Sequence, residues 1–266
     1  MKFSIIVVSL NAGEELQKTI NSVLSQSCQD FEIVVKDGGS QDGSIQKLPP
    51  SEKIHLYVRK DRSIYDAMNQ AVEYAGGEYF LFLNCGDYLM DEKVLESVKQ
   101  ALEEEQEPIG ILYGNQYERH LQSVIYANPQ LTPFACYRNI TCHQTCIYHR
   151  SLFASRAYDL QYPVRADYEH FLWCYFEKKI RLKYVDTIIC SYEGAGFSET
   201  KEHLKAAKKE HKKITATYMS VGQRALFRGI LILTLQPLRT AIANSTMFSG
   251  IYNRLKTAIY RWKHTS

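Results

Sequence analysis

Two rhythms of apolar residues alternate along this chain. Phe3–Val8, Phe31–Lys36, Ile54–Val58, Glu78–Leu83 and Ile109–Asn115 are short, nearly unbroken apolar runs. Runs of that length, rich in β-branched and aromatic residues, suit strands covered on both faces. Between them the apolar spacing turns helical. Leu16, Ile20, Val23 and Leu24 share one face of a helix from about Glu14 to Ser25. A second helix is predicted over Ile64–Ala75, with Gly76-Gly77 as a left-handed stop, and a third ends near Glu105. Strands alternating with helices predict an α/β fold built on a mostly parallel, doubly wound sheet. Residues 116–140, with Pro129 and Pro133, read as hairpin and loop. Thr141–His149 reads as a strand that presents His143 and Gln144 to a cleft. A helix begins near Ala166, a strand covers 183–192, and Gly194–Ser198 has the composition of a lid-type loop. Lys201–His211 reads as a solvated charged helix.

With 266 residues, 45% of them hydrophobic, the chain can form one large domain or one domain with an annex. The boundary expected is 1–200 for the α/β domain and 201–266 for a helical extension. Seven scattered cysteines, an odd number, argue for reduced thiols and a cytoplasmic setting rather than a disulfide framework. The first apolar run is too short for a signal peptide, and no run of about 18 apolar residues predicts a membrane span.

Charge changes the picture at the C-terminus. Nine of the 32 basic residues follow Glu210 and no acidic residue does, which leaves 23 basic against 29 acidic residues before that point. Arg224 and Arg228 flank Leu226, Phe227 and Ile230, and Arg254, Lys256, Arg261 and Lys263 flank Tyr252, Leu255, Ile259 and Trp262. That pattern fits a helix lying in an anionic membrane interface, or one docking on the body or on another subunit. A net-acidic body without a recognisable binding fold gives no support for a nucleic-acid partner.

The first βα turn lacks G-x-G-x-x-G, and no phosphate-binding P-loop is present. The turn Asp37-Gly-Gly-Ser-Gln-Asp-Gly-Ser44 offers carboxylates and amides that can read a base imide and ribose hydroxyls, or simply satisfy one another as an Asx turn. Asn84-Cys-Gly-Asp87 follows a buried strand, where open α/β sheets collect ligands. Asp87 there can hold a hard cation together with waters and phosphates, or cap the next helix. Cys142, His143, Cys146 and His149 have no standard zinc spacing. Asp167 and Glu169 fall in the first turn of a helix, where carboxylates commonly serve the helix dipole.

Six segments in this order, FSIIVVSLNAGEELQKTINSVLSQ, FEIVVKDGGSQDGS, KDRSIYDAMNQAV, GEYFLFLNCGD, CHQTCIYHR and ADYEHFL, resemble the family-2 inverting glycosyltransferases of GT-A type. The likeness covers about residues 2–200 and is nearest to bacterial enzymes of exopolysaccharide and lipopolysaccharide synthesis. It implies a metal-dependent transferase that moves a sugar from a nucleotide-diphospho-sugar, UDP-linked by expectation, to a glycan or lipid-linked acceptor at the inner face of the plasma membrane. It implies Ser9 and Asn11 near the nucleotide, Asp37 on the base, and Asp61 and Asn69 by the ribose and phosphates. Asn84 to Asp87 matches the metal motif, with Asp87 the ligand of Mn²⁺ or Mg²⁺. Asp167 matches the catalytic base, and His143, Gln144 and Glu169 would lie on the acceptor side. Ala166 stands where many relatives carry Glu, which leaves Glu169 open as an alternative base. The competing readings are a sugar-phosphate nucleotidyltransferase, against which Ser9–Gly13 contains no basic residue, and a non-catalytic nucleotide-sugar-binding scaffold at the membrane.

Overall fold

The computed structural model describes residues 1–194 and 201–235. The lid-type loop beyond Gly194 and the basic segment around 252–263 lie outside the described residues. Strands β1 (Phe3–Ser9), β2 (Phe31–Asp37), β3 (Ile54–Val58) and β4 (Tyr79–Asn84) form from the first four apolar runs. They pair in parallel in the order β3-β2-β1-β4. The remaining strands are β5 (Tyr88–Leu89), β6 (Ile111–Glu118), β7 (Ser123–Ile125), β8 (Cys146–His149) and β9 (Leu182–Tyr192). Beyond β4 the sheet becomes mixed. β8 runs antiparallel to both β4 and β6, β9 runs parallel to β6, and β5 and β7 are antiparallel edges.

Helices cover both faces. Those described are α1 (Glu14–Leu24), α2 (Ile64–Val72), α3 (Val94–Glu103), α4 (Pro133–Arg138), α5 (Arg150–Ser155), α6 (Ala166–Phe176), α7 (Lys201–Tyr218) and α8 (Val221–Leu233). Phe3, Ile5 and Val7 of β1 pack with Leu16 and Ile20 of α1 and Val98 of α3. Ile6, from the same strand, packs the other way with Met68 of α2 and Phe171 of α6. Neither face of β1 meets water, so alternation along it is lost and the run is apolar throughout.

Three local expectations change. Gly76 and Gly77 are not in the left-handed region. A Cβ on Gly77 would stand 2.6 Å from the Ser4 backbone nitrogen, so close approach to β1 demands the glycine, not a helix cap. Pro133 does not mark a loop. It opens α4 behind Thr132, whose hydroxyl accepts from the Ala135 amide, because the first helical position needs no N–H donor. The helix from Lys201 is longer than its charged stretch and is not wholly solvated. Ile214 is fully buried, and Glu210 accepts hydrogen bonds from the amides of Val164 (3.2 Å) and Arg165 (2.8 Å) at the start of α6. Phe227 of α8 packs 5.5 Å from the rings of both Phe134 and Tyr137. Within the described part of the basic extension, α7 and α8 therefore dock on the body. No helix among the described residues is long and apolar enough to cross a membrane.

Candidate active site

Register aligns the carboxyl ends of the parallel strands. Ser9 pairs with Asp37, and Val8 with Asn84. The chain leaves β4 through Gly86, at φ +90°, and reaches Asp87. A cleft of about 850 Å³ opens there. Asn84, Asp87, His143, Gln144 and Asp167 all line it, although they come from β4, the 3₁₀ turn His143–Thr145 and α6.

Asp87 is buried and held on both oxygens. Oδ2 accepts from Gln144 Nε2 at 2.7 Å, and Oδ1 accepts from the Glu193 amide at 2.8 Å. Arg119 Nη2 lies 3.7 Å from Oδ1. That guanidinium is itself fixed, donating to the carbonyls of Ser191 and Gly86 at 2.7 Å each, and it lies over the Tyr88 ring. Burial raises the Asp87 pKa above the ordinary carboxylate value, against the opposing pull of Gln144, the Glu193 amide and Arg119. α3 begins only at Val94, so Asp87 does not cap it. Gln144 is fully buried and bonds through both its nitrogen and its oxygen, because Oε1 also accepts from the Asn84 N–H at 2.8 Å. It thereby ties both ends of the Asn84–Asp87 turn to the strand that follows it.

Asp167 sits in the first turn of α6. The Tyr65 hydroxyl lies 2.8 Å from its Oδ1, and His143 Nδ1 lies 3.4 Å from its Oδ2. Burial works to raise its pKa, but the His143 hydrogen bond and charge, then Tyr65 and Arg165, outweigh it and hold the carboxyl below its usual value. For His143 burial works downward. The bond to Asp167 and the charges of Cys142, Asp167 and Asp87 reverse it, so its pKa is raised. The result is a carboxylate that stays ionised at neutral pH, in a cleft, with a lone pair free for an incoming proton. Among the described residues, three buried polar atoms nearby have no hydrogen-bond partner: Ser9 Oγ, Asn84 Oδ1 and His143 Nε2.

The other expected residues stand behind this surface. Asp37 accepts from the amides of Gly39 (2.8 Å) and Ser40 (2.7 Å) and from the Ser40 hydroxyl, shaping its own turn. Asn11, at φ +50°, joins that turn through its amide to Ser40 Oγ and through Oδ1 to the Gln41 amide. Asp61 pairs with Lys36, whose side chain is fully buried in β2. Asn69 clasps the backbone N–H and C=O of Tyr158, both at 2.9 Å. Glu169 does not reach the cleft. It accepts from Arg156 at 2.9 Å and from the Tyr218 hydroxyl on the far side of α6. Among the described residues no group of three or more His, Cys, Asp or Glu converges into a metal cage. His149 is engaged with Ser151 instead, and Cys146 with the Cys142 carbonyl. Tyr65, Arg119 and the Glu193 amide complete the site, and the chain pattern had not marked them. Arg119 follows β6 in a segment read only as hairpin and loop. Tyr65 looked like one more apolar position of α2.

Comparison with known proteins fits this arrangement. The profile of the family described as Glycosyl transferase family 2 matches residues 4–198. A PGL/p-HBAD biosynthesis glycosyltransferase of Mycobacterium bovis is 34% identical over 213 residues, spanning 76% of this chain and 82% of the relative. Among solved structures, S. aureus TarS 1–349 in complex with UDP-GlcNAc superposes with a TM-score of 0.63 at 17% identity, covering 85% of this chain and 70% of that one. The mannosyltransferase PcManGT from Pyrobaculum calidifontis, in complex with GDP-Man and Mn²⁺, does so at 0.58 and 15%, covering 96% and 86%. At those identities the two structures speak for a shared fold, GT-A in type. The profile match and the mycobacterial relative carry the assignment further: this chain belongs to glycosyl transferase family 2 and is a glycosyltransferase.

Proposed function

We propose that the cleft transfers a sugar from a UDP-linked nucleotide-diphospho-sugar to an acceptor hydroxyl, with inversion at the anomeric carbon. The observation that carries this reading is that Asp87 and Asp167 share one cavity while their surroundings push their pKa values in opposite directions. Asp167, held ionised between Tyr65 and His143, accepts the proton of the attacking hydroxyl as general base. Tyr65 and His143, one on each oxygen, fix the orientation of the carboxylate. A single displacement with the base opposite the leaving group inverts the centre.

Asp87 and the unpartnered Asn84 Oδ1 are oxygen donors suited to Mn²⁺ or Mg²⁺. These two residues would hold such a cation beside the diphosphate. When bound, such a cation offsets the charge that develops on the departing diphosphate. Arg119 and Gln144 keep Asp87 aimed at that point. The complexes of TarS with UDP-GlcNAc and of PcManGT with GDP-Man and Mn²⁺ support a nucleotide-sugar donor and a divalent cation as the kinds of ligand. On this reading Ser9, Asn11 and Asp37, at the carboxyl ends of β1 and β2, shape the side of the cleft that receives the nucleoside.

The acceptor is a lipid-linked glycan of surface-polysaccharide synthesis, approached at the inner face of the plasma membrane. The acid-free tail after Glu210 supports that setting, because each basic residue near anionic lipid adds about 1 kcal/mol of attraction. A panel of nucleotide sugars, assayed for slow donor hydrolysis with and without Mn²⁺, tests the reading. Release of UDP that depends on Mn²⁺ is expected. Hydrolysis of no donor on the panel, with either cation, would sink it.

A further inference from the structure

Two thiols meet where the turn His143–Thr145 packs on the sheet. Cys85 and Cys142 are the free cysteines that line the cleft among the described residues. Cys142 immediately precedes His143, which pairs with Asp167, and Gln144, which bonds both Asn84 and Asp87. Ahead of it the Thr141 hydroxyl reaches the Gly114 carbonyl of β6 at 3.5 Å. β9 runs beside β6, and Cys190 of β9, fully buried, pairs in register with Gln116, itself a lining residue. The turn is thus seated on the strand pair that carries Cys190, and the Cys190 thiol donates a hydrogen bond to the Cys142 sulfur.

Their surroundings divide the roles. The hydrogen bond from Cys190, then the His143 charge and the Gln144 amide, lower the Cys142 pKa against burial. The same bond, with burial, raises that of Cys190, and burial pushes the Cys85 thiol up to about 12. The thiolate, not the thiol, attacks a disulfide. We propose that Cys142 and Cys190 are a reversible oxidation site that takes a small disulfide as oxidant, and that closing the protein disulfide switches the cleft off. In the first step the Cys142 thiolate bonds to one sulfur of the small disulfide RSSR, its S–S bond breaks, and RS⁻ leaves with the proton that Cys142 gave up. In the second, Cys190 loses its proton and attacks the Cys142 sulfur, and the second RS⁻ takes that proton. Two protein thiols are oxidised to one disulfide, and RSSR is reduced to two RSH. The new bond draws Cys142 towards β9, and His143 and Gln144 follow it in the chain. Misplacing groups around a reacting centre by about 1 Å costs about 10²-fold in rate. The consequence for transfer rests on the proposed roles of Asp87 and Asp167, whereas formation of the disulfide does not.

The full, reduced chain treated with hydroxyethyl disulfide and mapped by peptide mass spectrometry tests this. A Cys142–Cys190 cross-link that dithiothreitol reverses is expected. Cys190→Ala should stop at a mercaptoethanol adduct on Cys142, and Cys142→Ser should form neither species. Cross-linked protein should lose Mn²⁺-dependent donor hydrolysis by about 10²-fold and regain it on reduction. Amide exchange at Asn84, whose N–H is held by Gln144, should quicken by about tenfold or more. Absence of a cross-link between these two cysteines in the wild type overturns the pair. Cross-linked protein with unchanged hydrolysis overturns the switch. Mn²⁺-dependent hydrolysis in a chain that forms no cross-link sinks the thiol proposal alone. In a preparation that hydrolyses no donor, exchange decides: faster exchange at Asn84 after cross-linking keeps the thiol switch while the donor reading falls, and unchanged exchange sinks both.

Discussion

Replacing Gln144 with alanine should loosen the turn that carries Asp87. The side chain is fully buried and its amide makes two bonds, one accepted from the Asn84 N–H and one donated to Asp87 Oδ2. A buried N–H left without a partner costs about 1–3 kcal/mol, and a lost bond to a charged group about 1.5–3 kcal/mol. The Glu193 amide and Arg119 remain on Asp87, so its charge is not stranded. The expected loss of stability is about 3–5 kcal/mol. For a chain of this size that lowers the melting midpoint by roughly 6–20 °C. Urea titration and a thermal scan would measure it. A loss below about 1 kcal/mol, the range of an ordinary surface change, would mean that the amide does not hold the turn. Chemistry gives a second readout. Burial already raises the Asp87 pKa, and Gln144 opposes that rise. Without Gln144 the carboxyl holds its proton to higher pH, and protons compete with cations for it. Mn²⁺-dependent donor binding should therefore weaken most on the acidic side.

Four further outcomes are expected. Asp167→Asn should keep donor affinity and lose transfer by about 10²–10⁴-fold; near-normal turnover would move the base elsewhere. Asp87→Ala should abolish the Mn²⁺ dependence of donor binding, which calorimetry with and without Mn²⁺ checks. His170 is buried with its pKa pushed down to about 4, while the unfolded chain protonates near the usual value of 6.5. The folded-state value is depressed, so stability is lost as pH falls from about 6.5 towards 4, by up to about 3 kcal/mol; His170→Phe should remove one proton's worth of that slope in urea titrations across the window. Glu210→Ala should leave the amides of Val164 and Arg165 unpaired, cost about 1–3 kcal/mol, and lower transfer by disturbing the start of α6; unchanged transfer at equal fold stability would uncouple Glu210 from the site.

Much of the fold was legible because strands buried on both faces leave unbroken apolar runs and their helices leave a 3.6-residue spacing. The first four strands and α1, α2 and α6 follow from that. The antiparallel insertion of β8 between β4 and β6 was not legible, since a four-residue strand carries no direction in its composition. The cleft was legible in its two carboxylates but not in what surrounds them. Gln144 was expected at the acceptor side, and the structure gives it to the Asp87 turn. Glu169 could have been set aside from helix geometry alone, because a residue two positions after Asp167 points about 200° around the axis. Arg119 gave no signal. Its role depends on carbonyls at Gly86 and Ser191 that only the folded sheet brings together.

Glu210 lies past the end of the segment that the family profile matches, yet it accepts hydrogen bonds from two amides directly ahead of the helix carrying Asp167. A chain trimmed to the matched segment would thus lose part of the support for the helix that carries Asp167, and inactivity of such a fragment would say nothing about the proposal that Asp167 is the base. Swaps of C-terminal segments between relatives need their crossover placed after α8 if the chemistry is to survive the exchange.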